Sequence, residues 1–273
     1  MDVNSSKQQI IGVIPAAGNA SRLAPIPCSK EIFPVAFANN SNPATIKVAV
    51  SYLLESFVEA GADQIYIIMR KGKWDIPQYL GSGNSSEFTL AYIITDPTPG
   101  THYTIDLAYR FAKDKIVLLG FPDILFQPKN AFNVLLDRQE QTGADVVLGL
   151  FKTASPQKGD MVDIDDQNQV KQIIIKSANT SLSYAWAIAI WTPHFTQYLH
   201  DFVGRRDMSE GSEFKQGEEV FIGNVIQHAI DDGLQVEGVV FEEGKFIDIG
   251  TMADLKTVLV TNFTSAVDAE NQQ

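Results

Sequence analysis

From Ile10 to Phe151, short apolar runs alternate with stretches whose apolar residues recur at helical spacing, and few folds accept that rhythm. Ile10 to Ile14, Gln64 to Met69, Leu90 to Thr95, Lys115 to Gly120 and Ala144 to Phe151 each suit one buried strand. Between them, Thr45 to Ala60 carries Ile46, Val50, Leu53, Leu54, Phe57 and Val58 on one helical stripe that closes at Gly61. Tyr103 to Phe111 and Ala131 to Gln141 read as further helices. A strand that is apolar on both faces must be covered on both, and strand–helix–strand crossovers supply that cover. The expected class is α/β, with a doubly wound, mixed but mainly parallel sheet.

Beyond Phe151 the rhythm changes. Asp160 to Ile175 predicts short strands around the turn Asp165-Asp166-Gln167-Asn168, and Tyr184 to Trp191 predicts one strongly apolar strand. Gly204 to Glu219 is charged and loop-like. Val220 to Asp232 predicts a helix closed by Gly233, and Gln235 to Asp248 two more strands. The last ten residues are polar and expected to fray. No repeat or linker divides the chain, so residues 1–273 are expected to form one domain, with halves at 10–150 and 151–256 and a frayed tail at 264–273.

Composition limits the partners. Apolar residues make up 45% of 273, enough for a substantial core. A net charge of −12 argues against nucleic acid and anionic membrane as partners, since both call for a basic face. The one cysteine, Cys28, rules out an internal disulfide and a cysteine-rich metal site. Met1 to Gln9 is polar, with no apolar signal core, and no apolar run approaches membrane-spanning length. A soluble, cytoplasmic protein is expected. His102, His194, His200 and His228 lack metal-ligand spacing, and no Ser/His/Asp arrangement emerges.

The chemistry concentrates at Pro15-Ala16-Ala17-Gly18-Asn19-Ala20-Ser21-Arg22-Leu23, followed by Ser29-Lys30-Glu31. Small side chains let backbone N–H groups approach an anion, while Arg22 and Lys30 add a planar fork and a compact ammonium. Such equipment suits a polyphosphate. The alternative is a plain strand-to-helix turn with a solvated arginine. A Walker loop is absent, and Gly18 to Leu23 lacks the dinucleotide pattern G-x-G-x-x-G. Gly81-Ser82-Gly83 follows no apolar strand and reads as an ordinary loop.

With Phe33-Pro34-Val35 added, the whole string resembles the signature of the sugar-1-phosphate nucleotidyltransferases, A-G-G-x-G-T-R-L-x-P and then P/S-K-x-x-L-P-V. Gly18, Arg22, Leu23, Pro25, Lys30, Pro34 and Val35 match, and Ala17, Ala20 and Ser21 replace small residues by small ones. Pro15 to Gly18 and Lys30-Glu31 look like the uridylyltransferase branch, and the chain is also similar to the glucose-1-phosphate thymidylyltransferases. The resemblance implies a nucleotide-diphospho-sugar transferase-like, Rossmann-like sheet with a small β-rich sugar-binding portion. The first half would bind nucleotide and the second sugar phosphate. Ala16 to Ser21 would hold the triphosphate, with Arg22 and Lys30 as catalytic residues.

Further motifs follow in chain order. Asp123 follows the apolar run ending at Gly120, where open α/β sheets place their ligands, so it is either a divalent-cation ligand or a cap for the helix at Ala131. The family carries L-G-D here; in this chain Phe121 and Pro122 intervene. Asp248, in Phe246-Ile247-Asp248-Ile249-Gly250-Thr251, resembles the family's W-x-D-x-G-T and is either the second ligand or a turn residue. Two carboxylates with phosphate oxygens and water suit Mg²⁺. Lys176 lies where the family's I-x-E-K-P places a sugar-phosphate lysine, or it is a solvated strand end; Ile175 replaces the sugar-binding Glu and Ser177 the Pro. Trp186 reads as a sugar-stacking wall or as core. Thr95 to Gly100 parallels Q-P-x-P-x-G, which would put the base near Thr95 and Gly100, with Tyr103 stacked on it. The implied reaction joins an NTP, dTTP or UTP, to a hexose 1-phosphate and releases pyrophosphate. A cytidylyltransferase of a non-sugar phosphate and a silent sugar-nucleotide-binding regulator are the alternatives. A homo-oligomer is compatible with the sequence, which does not set one.

Overall fold

The computed structural model describes residues 8–19, 22–37, 45–83, 86–208 and 220–261. The first part of the chain runs β1 (Ile10–Ala16), a 3-10 turn (Lys30–Ile32), β2 (Pro34–Phe37), β3 (Ile46–Val48), α1 (Ala49–Glu59), β4 (Gln64–Arg70), α2 (Asp75–Leu80) and β5 (Thr89–Thr95). It continues through α3 (Thr101–Asp106), α4 (Tyr109–Ala112), β6 (Ile116–Gly120), β7 (Ile124–Gln127), α5 (Ala131–Thr142) and β8 (Val146–Lys152). The remainder comprises β9 (Met161–Ile164), β10 (Val170–Ile174), β11 (Tyr184–Trp191), α6 (Pro193–Met208), α7 (Ile222–Asp231), β12 (Val236–Phe241), β13 (Lys245–Asp248) and α8 (Met252–Thr261).

Nine strands form one mixed sheet along β10-β9-β11-β6-β1-β4-β5, with β8 pairing to both β11 and β12. The strands β6, β1, β4 and β5 are parallel, as are β8 and β12, whereas β11 runs antiparallel between β6 and β8. The β9–β10 hairpin extends this sheet through a contact between Ala185 and Met161. Alternation along each central strand sends side chains to two cores. Ile11 and Val13 pack with Ile105 of α3, Phe195 and Leu199 of α6 and Ile226 of α7. Ile14 packs with Leu53 and Phe57 of α1 and with Phe132 and Leu135 of α5. Helices therefore cover both faces. The approach of α1 is close: a Cβ on Gly120 would fall 2.3 Å from Leu53.

A third, smaller core lies at one edge. It joins Leu23, Val35, Tyr52, Leu125, Ile249, Leu255 and Val258, and so ties the loop after β1 to α8 and to the antiparallel ribbon of β7 and β13. Among the described residues, no helix is long and apolar enough to cross a membrane.

Several segments differ from the sequence expectation. Thr45 to Ala60 opens as strand β3 before turning into α1, and Tyr103 to Phe111 divides into α3 and α4. Gly204 to Met208, expected in a loop, completes α6, whose buried Phe195, Leu199, Phe202 and Val203 form a regular helical stripe. Residues 209–219 and the expected frayed tail lie outside the described residues. Strand β7 and helices α2 and α8 were not expected; β7 is four residues long, too short to show a period.

Candidate active site

The site assembles at the carboxyl ends of β1 and β6. β1 ends at buried Ala16, after which Gly18 and Asn19 emerge into solvent. The Ala16 carbonyl accepts a hydrogen bond from Lys73 Nζ at 2.8 Å, and the same ammonium pairs with Glu31 Oε1 at 2.5 Å. Both side chains are almost wholly buried, at 7% and 2% exposure. Burial lowers the Lys73 pKa below the usual lysine value even though Glu31 raises it. This pair braces the 3-10 turn that carries Lys30. A second brace is Asp75, whose carboxylate accepts from the Ser29 N–H at 2.6 Å and the Ser29 hydroxyl at 2.8 Å. Arg70, at the end of β4, donates to the Asn19 side-chain carbonyl. Arg70, Lys73 and Asp75 were not anticipated from sequence. Their one signal is position, directly after the carboxyl end of a buried strand.

Lys30 donates to Asp123 Oδ2. Burial disfavours the Lys30 ammonium, but Asp123, Glu31 and Asp248 together hold its pKa above the ordinary lysine value. Asp123 caps no helix, since Asn130 occupies that place before α5. In the β7–β13 ribbon Ile124 faces Asp248, and the Ile249 N–H donates to the Asp123 carbonyl at 2.9 Å. The two carboxylates are thereby brought together. Burial and the Asp123 charge push Asp248 up to about 6, against Lys30, the Gly250 N–H and Arg22. Asp248 Oδ1 is buried and has no hydrogen-bond partner among the described residues. A Cβ on Gly250 would lie 2.8 Å from Asp248 Oδ1 and 3.1 Å from Arg22 Nη2, so this glycine leaves room for both side chains.

Phe121, Asp123, Asp160, Lys176, Trp186 and Asp248 share one cleft of about 200 Å³. Lys176 follows β10 at φ 43°, and its ammonium lies 3.5 Å from the centre of the Phe221 ring. Trp186 is 7% exposed, packs 5.8 Å from Phe121 between ring centres, and still lines the cleft; it is both core and wall. Asp160 was not singled out from sequence. Burial pushes its pKa up to about 6, opposed by the Lys176 charge, the Trp186 N–H and the Lys176 backbone N–H. The Trp186 N–H approaches that carboxylate without closing a hydrogen bond of standard geometry.

Thr95, Gly100 and Tyr103, expected near the base, lie at and just beyond the carboxyl end of β5. The close neighbour of Gly100 is the Val220 carbonyl, 2.4 Å from where a Cβ would fall, so its small size serves chain packing. Tyr103 packs against His102, 4.5 Å between ring centres, and against the larger core. The Thr95 hydroxyl donates to the Asp96 carbonyl at 2.9 Å. None of the three lines the cleft. Ala20 and Ser21 lie outside the described residues.

Among the described residues, no three His, Cys, Asp or Glu side chains converge as a metal cage. Two adjacent carboxylates, one with a buried oxygen left unpaired among the described residues, match a hard cation that takes its other ligands from substrate and water.

A two-faced α/β sheet with cationic and acidic groups gathered at its carboxyl edge defines a nucleotide- or phosphate-handling class. Residues 11–262 match the Nucleotidyl transferase family, and the chain belongs to it. It is 26% identical over 247 residues to the low-salt glycan biosynthesis nucleotidyltransferase of Haloferax volcanii, and 24% over 243 residues to a glucose-1-phosphate thymidylyltransferase of Streptomyces antibioticus. Each alignment covers 89% of this chain and 63% of the relative, so the chain spans under two thirds of their length. Two solved structures share the fold. A Bacillus anthracis protein described as a glucose-1-phosphate thymidylyltransferase, in complex with sucrose, has a TM-score of 0.76 at 18% identity, covering 95% of this chain and 96% of that one. A UDP-glucose pyrophosphorylase complexed with UDP-glucose has a TM-score of 0.74 at 14% identity, covering 95% and 100%.

Proposed function

We propose that this protein transfers a nucleotidyl group from an NTP to the phosphate of a sugar 1-phosphate, releasing pyrophosphate. One observation carries the reading: Arg22, Lys30, Asp123, Asp248 and Lys176 meet at the carboxyl edge of the sheet although they are scattered along the chain. A phosphate oxygen of the acceptor attacks the α-phosphorus. A new P–O bond forms, and the bond to the β-phosphate oxygen breaks with its electron pair leaving on pyrophosphate. The acceptor is already an anion, so no protein nucleophile is required, and the protein contributes placement and charge.

In this scheme the amides at Ala16 to Asn19 receive the triphosphate. Arg22 neutralises the departing pyrophosphate with a planar fork suited to phosphate oxygens. Lys30, fixed by its bridge to Asp123 and by the buried Glu31–Lys73 pair, sets positive charge beside the α-phosphate. Lys176 orients the acceptor phosphate. Asp123 and Asp248 would hold Mg²⁺, which supplies neutralisation of phosphate charge when bound. The substrate pairs we favour are dTTP or UTP with a hexose 1-phosphate, in keeping with the names of the relatives.

Pyrophosphate release by the purified protein, measured with the four common NTPs against a panel of hexose 1-phosphates, phosphocholine and glycerol 3-phosphate, tests this directly. Release is expected with a hexose 1-phosphate, to stop with EDTA and to return with Mg²⁺. Preference for CTP with a non-sugar phosphate, or nucleotide binding without release, would overturn it.

A further inference from the structure

We infer that Asp160 is the residue that reads the ring hydroxyls of the acceptor sugar, a specificity role that rests on the nucleotidyl-transfer reading above. Asp160 directly precedes β9 and shares the cleft with Lys176 and Trp186. Its backbone is fixed by a hydrogen bond from the Trp186 backbone N–H to its carbonyl at 3.3 Å. The position of its carboxylate is built rather than incidental. A Cβ on Gly223, in the first turn of α7, would fall 2.5 Å from Asp160 Oδ2, so the helix lacks a side chain where the acid needs space. Ile175 Cδ1 lies 2.8 Å from that same point, which makes Ile175 a neighbour of the carboxylate. The aliphatic side chain beside Lys176 accepts no hydrogen bond, and Asp160 supplies an acceptor in its vicinity.

The surroundings fit a sugar. Phe121, Trp186 and Phe221 give the cleft apolar faces, and Lys176 sits over Phe221. Asp123 is paired with Lys30 and Asp248 lies beside it in the β7–β13 ribbon, which leaves Asp160 as the one carboxylate of the cleft apart from that pair among the described residues. Burial works against its charge, an expense in stability that a binding role explains and a packing role does not. An ionised carboxylate offers several acceptor sites, and hydroxyl donors are its natural partners.

The test compares wild type with Asp160→Asn and Asp160→Ala in the full chain. Steady-state pyrophosphate release is followed with the preferred sugar 1-phosphate and its singly deoxygenated analogues, and thermal unfolding confirms that each variant is folded. Loss of hydrogen bonds to a charged group corresponds to about a 10-fold to 100-fold rise in acceptor KM. The NTP KM should stay within about twofold, and discrimination against one deoxy analogue should collapse, because a group that recognises only the acceptor leaves nucleotide binding intact. If Asp160→Ala does not fold, the isosteric Asn variant supplies the same readout. An unchanged acceptor KM with intact deoxy discrimination in a folded variant overturns the role of Asp160 alone. If wild type uses no sugar phosphate, the functional reading falls and this inference with it.

Discussion

Lys30 sits where three acids act on it and hold its ammonium above the ordinary lysine pKa. Arg22 differs: it is exposed at the rim, beside Gly250 and Asp248. Removing either should reduce turnover by about 100-fold or more, the scale of losing one oriented charge at a reacting phosphate. Pyrophosphate release by folded Arg22→Ala and Lys30→Ala proteins checks this, and unaltered rates would remove both from the mechanism. Lys73 invites a stability measurement instead. Lys73→Ala leaves Glu31 buried without its cation, so urea unfolding should show a loss of about 3–5 kcal/mol. At this scale a contiguous motif singled out Gly18, Arg22 and Lys30, and the structure places Lys30 beside Asp123 and Arg22 beside Asp248. For Gly100 and Tyr103 the sequence left two readings open, because the same residue types serve a pocket or a packed turn equally well. The structure adds their neighbours: the Val220 carbonyl lies close to Gly100, and Tyr103 packs against His102.

At the scale of elements, the small edge core does the positioning. Leu23 follows Arg22, Leu125 lies two residues beyond Asp123, and Ile249 follows Asp248; all three are buried in that one cluster. Burying a neighbour of each polar residue fixes the backbone from which it projects. Ile249→Ala should therefore cost about 2–5 kcal/mol in unfolding free energy and lower kcat as well. Leu135→Ala, equally buried but in the core between α1, α5 and the sheet, should cost a similar amount with kcat unchanged in the folded protein. Equal effects on kcat would show that the edge core has no special part in the site. The long strands were readable because each buries both faces, and β11 runs from Tyr184 to Trp191 as its apolar run predicts. Strand β7 was not readable: four residues carry no period, and only pairing with β13 makes them a strand. The helix ending at Met208 drew no expectation over its first turns, and its charged last turn resembled a loop.

For the molecule as a whole, two site carboxylates carry raised pKa values, Asp160 and Asp248, each at about 6. Between the unperturbed 3.8 and about 6, the folded chain holds the Asp160 proton more tightly than the unfolded chain does. Unfolding then releases protons, so this group's contribution to stability declines as pH rises through that window. Asp160→Asn should remove the decline and be the more stable protein at pH 7, by about 1–3 kcal/mol, while differing little near pH 3.5. Denaturant titrations at both pH values decide it, and a variant weaker than wild type at pH 7 would contradict the sign. By itself, the sequence determined the alternation of strands and helices and the cationic loop after the first strand, because periodicity and small-residue turns are local and record which faces are buried. Only the tertiary structure decided that Asp123 meets Asp248, that Lys73 braces Lys30, and that Asp160 enters the cleft. Those contacts depend on ribbon register and on how distant helices pack against the sheet, and no short stretch of chain encodes either.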